Sequence, residues 1–407
     1  MNSFSLKENI KSSYKQFFRL TKKTFAPDKN SQARLTPKRF CIMLLFCIVL
    51  FTVQTLHWIG YICDEIFFKG YKNVKIKEPV FILGVPRSGT TFLHRFLSED
   101  KKNFTTISLW ELVLAPSVTQ RKIISVLDKL DSAIGGPGKR LIHMAERKAF
   151  QGLDDIHKIS LTDPEEDYFF LAPVYACFIM IVPFPFFEEL GHLAFFDDET
   201  PENDKKRIMA FYKTCLQRHL YFHGTDKILL SKNVSFSPMI KALSETFPDS
   251  KIIATVRHPE KAVPSHISSM TEGAEIFDNN ISGTEFKNQM IRVQRYAYSH
   301  IQKKIPLIEE KRRLILTMED MKSELYSSIS FLYSHFGYTM SKDFENFLNC
   351  EDQKQKIYKS GHNYDAQSFG LSPEDIFSKF SDVYYHYGYS SPENSAQKKK
   401  SFDSGGG

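Results

Sequence analysis

The sequence predicts an α/β fold in which a mainly parallel sheet is flanked by helices, with one transmembrane helix near the N-terminus. Two observations predict the sheet. Apolar runs ending in a turn or a cation recur at residues 80–85, 227–232, 251–256 and 313–321, and stretches of helical periodicity separate them. The runs are continuous rather than alternating, as strands covered on both faces are. A third observation, a 24-residue apolar segment at 40–63 ahead of all of them, predicts the membrane helix.

At 407 residues, 42% hydrophobic and 25% charged, the chain has room for one large or two ordinary domains with a real core. Its formal charge of +7 misleads. Residues 1–39 carry ten Lys or Arg against two acids, and the remainder is close to neutral. A basic end is not a basic protein, so no nucleic-acid surface is expected. Six cysteines, none in a CxxC spacing, indicate neither a disulfide framework nor zinc.

The segment FCIMLLFCIVLFTVQTLHWIGYIC has only Gln54 and His57 as awkward members. At 1.5 Å per residue it is long enough for a ~30 Å hydrocarbon core. It begins too deep in the chain for a signal peptide, and no small-x-small cleavage site follows. Because the Lys/Arg excess precedes it, the positive-inside tendency makes residues 1–39 a basic cytoplasmic tail and translocates the rest, a single-pass type II arrangement. The alternative is an amphipathic or buried helix packed against the soluble domain. That domain is expected over 64–385, with 386–407, poor in apolar residues, disordered.

The first strand is followed by Pro86-Arg87-Ser88-Gly89 and then by a helix from Thr90 to about Asp100. A strand, a glycine-bearing turn and a helix start make an anion trap. The first helical N–H groups lack partners, the dipole adds positive character, and glycine admits a charged group to the main chain. The spacing Gly84-x-x-x-x-Gly89 fits the front half of a phosphate-binding P-loop, but Thr90-Thr91 stands where Lys and then Ser or Thr would continue it. Arg87 is the loop's only cation. This suits a terminal group held by a fixed cation and hydroxyls better than one held through Mg²⁺.

PRSGTT after an apolar strand resembles the 5′-phosphosulfate loop of sulfotransferases that use 3′-phosphoadenosine 5′-phosphosulfate (PAPS). The resemblance implies that Arg87, Ser88, Gly89, Thr90 and Thr91 hold the phosphosulfate. LWELVLAPS, residues 109–117, is similar to the block in which the family carries its general base, which implies that role for Glu111; by itself a glutamate between Trp110 and Leu112 reads as a helix-face residue. The run Asp163-Pro164-Glu165-Glu166-Asp167 resembles the family's acidic segment near the acceptor, and a helix first turn explains it equally. Residues 168–187 are apolar enough for a second span, but Pro173, Pro183 and Pro185 argue against one helix. They are expected to roof the acceptor site or dip into the membrane interface, hinting at an acceptor of apolar or ring character.

Lys232 ends the second strand, where open α/β sheets bind ligands. The block reads LLSKNVS where the family carries LLKSP, so its lysine is displaced. Arg257 stands at the end of the next strand, with Ser265 eight positions on along the following helix. An arginine fork and a hydroxyl so placed make a second phosphate site; FPDSKIIATVRHPEKAVPS resembles the block that holds the 3′-phosphate of PAPS. SGHNYDAQSFGLSPEDIFSKF is similar to the family's nucleotide-covering tail, in which His362 and Tyr364 either touch the nucleotide or are structural.

The reading is sulfuryl transfer from PAPS, without a metal, to a hydroxyl or amine on a small-molecule, carbohydrate or lipid acceptor. Glu111 is the expected base, and Arg87 with Lys232 neutralises the leaving oxygen. The membrane partner is reached through the N-terminal helix, with a Golgi-lumenal setting if the source is eukaryotic. A P-loop kinase or NTPase, and a non-catalytic membrane-anchored PAP(S)-binding protein, are the alternatives.

Overall fold

The computed structural model describes residues 5–27, 33–150, 160–279, 284–357 and 369–392. His362, Tyr364 and the tail 393–407 lie outside the described residues. Five parallel strands, β1 (Val80–Gly84), β2 (Phe104–Thr105), β3 (Ile228–Lys232), β4 (Lys251–Val256) and β5 (Arg313–Thr317), form one sheet in the order β2-β3-β1-β4-β5. Chain order thus reverses about β1, whose Ile82 faces Lys232 of β3 on one side and Ile253 of β4 on the other. Every residue of β1 is buried, which is why its sequence is apolar without alternation.

One strand boundary differs from the sequence reading by more than a residue, and one strand is missing from it. The run 313–321 breaks after Thr317, whose hydroxyl accepts from Asp320 N and starts the helix Met318–Ser323; a Thr before Glu and Asp is a helix N-terminus signal. The edge strand β2 has only two residues, too few to announce themselves, and exists because Phe104 and Thr105 pair with Ile228 and Leu229.

Side-chain alternation divides the core into two layers. Phe81, Leu83, Ile252 and Ala254 face the larger one, with the long helices Glu202–His223 and Thr284–Lys304. Val80, Ile82, Ile253 and Leu316 face the smaller one, under α3 (Thr90–Ser98) and the helix Leu325–Phe336. Residues 167–190 are short 3₁₀ and α turns (Asp167–Val174, Phe178–Ile181, Phe187–Leu190) that bury Phe170, Leu171 and Phe184. The prolines break the segment as the sequence indicated.

The stretch read as a cytoplasmic tail contains a helix, α1 (Leu6–Phe25), closed by a Ser5–Glu8 capping box. It runs antiparallel to α2 (Pro37–Phe67), with ring contacts Tyr14–Phe51 and Phe25–Phe40, and Arg19 Nε lies 2.9 Å from Glu189 Oε2 of the domain. Among the described residues α2 is the one helix long and apolar enough to cross a membrane. One line of its side chains faces the domain throughout. Arg39 Nη1 donates to Phe277 O at 2.9 Å near one end, and Asp64 accepts from Arg218 Nε at 2.9 Å near the other.

Candidate active site

The loop after β1 is fixed from beneath and from both sides. Val85 N donates to Thr255 O at 3.1 Å, the Ser88 and Thr255 hydroxyls meet at 2.6 Å, and Gly84 N donates to Ser237 Oγ at 3.1 Å. A Cβ on Gly84 would lie 2.5 Å from Thr255 O, so only glycine lets β1 and β4 come this close here. Arg87 (φ 68°) and Gly89 (φ 91°) are both left-handed and curl the chain into the start of α3, which no side chain caps. An uncapped helix start behind a curled loop presents N–H groups and dipole to an anion.

A left-handed arginine is strained unless its surroundings hold it. Three contacts do so: Arg257 Nη1 donates to Arg87 O at 3.1 Å, Arg87 Nε donates to Ser265 Oγ at 2.9 Å, and Gln294 Nε2 donates to Pro86 O at 3.1 Å. The two anion motifs, 170 residues apart in sequence, therefore meet at the carboxyl ends of adjacent strands β1 and β4. Burial and the Arg87 charge push His266 down to about 4, so it adds no charge at neutral pH. Lys322 was not singled out from the sequence. It lies near enough to Arg257 that, after burial, the Arg257 charge lowers its pKa.

On the other flank Lys232 is buried at the end of β3, and its Nζ lies 3.1 Å from Thr91 Oγ1, 2.9 Å from Glu166 Oε1 and 3.4 Å from Glu165 Oε1. Strand alternation decides this: Leu230 and Lys232 point to the α3 layer, while Ser231 points the other way to Tyr212 at 3.2 Å. One ammonium thus bridges the anion loop and the paired acids, whose side chains remain about a quarter exposed.

The sequence profile of the sulfotransferase family matches residues 79–342, from the strand that carries the loop to beyond β5. The chain belongs to the sulfotransferase family. It is similar to the omega-hydroxy-beta-dihydromenaquinone-9 sulfotransferases Stf3 of Mycobacterium bovis and Mycobacterium tuberculosis, each 24% identical over 330 residues, covering 78% of this chain and 77% of the relative. In fold it is similar to sulfotransferase STF9 of Mycobacterium avium (TM-score 0.68, 16% identity, 92% of this chain and 96% of that one). It is also similar to STF1 of Mycobacterium tuberculosis (TM-score 0.65, 15% identity, 94% of each). These relatives are bacterial and lend nothing to a Golgi setting.

In this sulfotransferase Glu111 sits in a closed cage. It lies at the start of α4 (Leu109–Val113), 2% exposed. Oε2 accepts from the Ser108 amide at 3.0 Å and hydroxyl at 2.8 Å; Oε1 lies 3.2 Å from Arg121 Nε, 2.7 Å from His223 Nε2 and 3.4 Å from His219 Nδ1. Burial alone would raise its pKa, but Arg121 and the two histidines outweigh it and hold the carboxyl far below the usual carboxylate range. Glu111, His219 and His223 each offer one atom within 4.8 Å of the others, a spacing a metal ion could use. The Arg121 guanidinium lies on the same oxygen and supplies one positive charge there.

Asp167 closes the acidic run and is also buried, its Oδ2 accepting from Tyr212 OH at 2.6 Å. Burial, with the nearby Glu166 charge, raises it to about 7 against the opposing pull of its hydrogen bonds and Lys232. An unfolded aspartate ionises near 4, so between about pH 4 and 7 the unfolded chain releases a proton that the folded chain keeps. Stability from this group therefore falls as pH rises through that window. Asp167→Asn removes the effect: its unfolding free energy relative to the parent should rise from pH 4 to 7, by at most about 1.4 kcal/mol per pH unit, and then level off. Urea unfolding of both proteins at pH 5, 6, 7 and 8 checks this, and a difference independent of pH refutes it.

Proposed function

We propose that this sulfotransferase moves a sulfuryl group from PAPS to a hydroxyl on an apolar, lipid-like acceptor. The observation that carries the donor assignment is the meeting of Arg87, Arg257 and Ser265 around a loop flanked on its other side by Lys232. The residues fit a donor with charge at two ends. The loop amides and the Thr90 and Thr91 hydroxyls suit the phosphosulfate; Arg257 and Ser265 suit the 3′-phosphate.

In the transfer, the acceptor oxygen forms a bond to sulfur while the bond from sulfur to the bridging phosphate oxygen breaks, leaving 3′-phosphoadenosine 5′-phosphate (PAP). Charge grows on that bridging oxygen, and we assign its neutralisation to Lys232 and Arg87, the cations on the two flanks of the loop. Such a reaction asks mainly for positioning and fixed electrostatics. The acceptor's proton needs a carboxylate with a free oxygen. Glu111 has both oxygens engaged, whereas Glu165 and Glu166 are partly exposed and next to Lys232 and Thr91. We assign the proton to Glu166, with Glu165 beside it, and give Glu111 a structural role.

Two features support an apolar acceptor: the buried aromatic turns of 167–190 that follow these acids, and the lipid substrate in the name of the Stf3 relatives. Thermal-shift titration tests the donor, since PAP should raise the melting temperature and ATP with Mg²⁺ should not. Transfer of label from [³⁵S]PAPS to a hydroxylated isoprenoid quinone tests turnover. Stabilisation by PAP without transfer to any acceptor tried would favour a binding protein over an enzyme.

A further inference from the structure

The faces of α2 are opposite in character. Its inner line is built into the domain: besides Arg39 and Asp64, Gln54 Nε2 donates to Pro173 O at 3.2 Å and Gln54 Oε1 accepts from Tyr175 OH at 3.1 Å. Arg39 and Asp64 are 25 residues apart, about 37 Å of helix at 1.5 Å per residue. A helix tied to a water-soluble domain along more than the ~30 Å of a hydrocarbon core cannot stand upright in a bilayer without taking that domain in with it.

Its outer line, including Leu45, Ile48, Leu56, Ile59 and Ile66, is exposed. The helix α5 (Val118–Ala133) starts hard against the buried side of α2: a Cβ on Gly60 would lie 2.9 Å from the Gln120 side chain, and Gln120 Nε2 lies 3.1 Å from His57 Nδ1. Along α5, Ile123, Val126, Leu127 and Leu130 are all exposed at helical spacing, with Ile134 just beyond its end. Beside this apolar surface α1 exposes Lys7, Lys11, Lys15 and Lys22, a cationic stripe lying along α2.

We propose that α2 and α5 bed into one leaflet of a bilayer with the helix axis of α2 in the membrane plane, while the α1 stripe meets anionic headgroups. A wide apolar face edged by cations matches a leaflet with negative headgroups, and α1 and the domain then lie on one side of the membrane. The surface also reaches the site. Val113 and Leu114, exposed at the end of α4, continue it, and Ser108 at the start of α4 pairs with Pro164 next to Glu165. Resting on the transfer reading, an acceptor dissolved in that leaflet reaches the acids without crossing water.

The test uses the full chain and no activity assay. The protein should float with vesicles of phosphatidylcholine containing phosphatidylglycerol. Leu127→Glu with Leu130→Glu should cut that partition at least tenfold without changing the circular dichroism spectrum, because both positions are exposed. Lys11→Gln with Lys15→Gln should weaken binding to the anionic vesicles by roughly fivefold per lysine removed, and not to pure phosphatidylcholine. In sealed membrane vesicles carrying the chain, an impermeant maleimide should reach Cys350 and a Lys7→Cys variant in a Cys41→Ser background from the same side. Labelling from opposite sides would overturn the proposal in favour of a crossing helix. Failure to float, with a stable dimer in sedimentation that Leu127→Glu breaks, would overturn it in favour of a second copy on this face.

Discussion

Arg257→Ala is expected to weaken PAP binding by about 1.5–3 kcal/mol, the scale of a hydrogen bond to a charged group. Two losses combine in that figure. The guanidinium leaves the proposed 3′-phosphate site, and the donor that holds the Arg87 carbonyl is gone, so the strained left-handed turn at Arg87 loses one of its three restraints. Arg257→Lys should fall in between, because an ammonium keeps the charge but not the planar fork. Ser265→Ala should cost less, about 1 kcal/mol, since it removes one hydroxyl partner of Arg87 Nε. Isothermal titration with PAP measures all three. An unchanged affinity in Arg257→Ala would take the 3′-phosphate away from this residue.

Glu166→Gln is expected to slow transfer by roughly 10²–10⁴-fold, the usual worth of general-base help, with PAP affinity close to that of the parent. Glu111→Gln should do the reverse. It should leave turnover per folded molecule nearly intact while lowering stability by about 3–5 kcal/mol, because it strands the buried Arg121 guanidinium without its carboxylate. The pH dependence has a definite sign. Glu111 ionises in the folded protein far below its unfolded value of 4.5, so its contribution is full above about pH 4.5 and is lost as the pH falls below that. The gap between Glu111→Gln and the parent should therefore narrow on acidification. Single-turnover transfer and urea unfolding at pH 4 and 7 read both effects. A dead but stable Glu111→Gln protein would return the base role to Glu111.

The loop geometry of the candidate anion site was legible because its signals are local. The loop PRSGTT, the strand before it and the Arg257–Ser265 spacing each lie within a few residues, and backbone geometry turns such short patterns into fixed donors. Glu111 is the opposite case. Its sequence neighbours, Trp110 and Leu112, say nothing of Arg121, His219 or His223, which reach it from two other helices. His219 and His223 are spaced to share one helix face, a signal that finds meaning only once α4 is known to pack there. Lys232 lay in between. The displaced lysine in LLSKNVS raised a question that only strand parity answers, since a shift of one residue would have turned it to the Tyr212 side.

The N-terminal region divides in the same way. Hydrophobicity and length sufficed to announce α2, because they are sums over a window and need no partner. They could not reveal that Arg39, Gln54 and Asp64 fasten it along the domain, or that α1 lies beside it with a cationic stripe. By itself the sequence determined the parallel sheet, the strand, turn and helix of the Pro86–Thr91 loop, and the family, all of which rest on residues adjacent in the chain. Which carboxylates are enclosed by partners, and which face of an apolar helix stays uncovered, were decided only in three dimensions, because both depend on contacts among residues far apart in sequence.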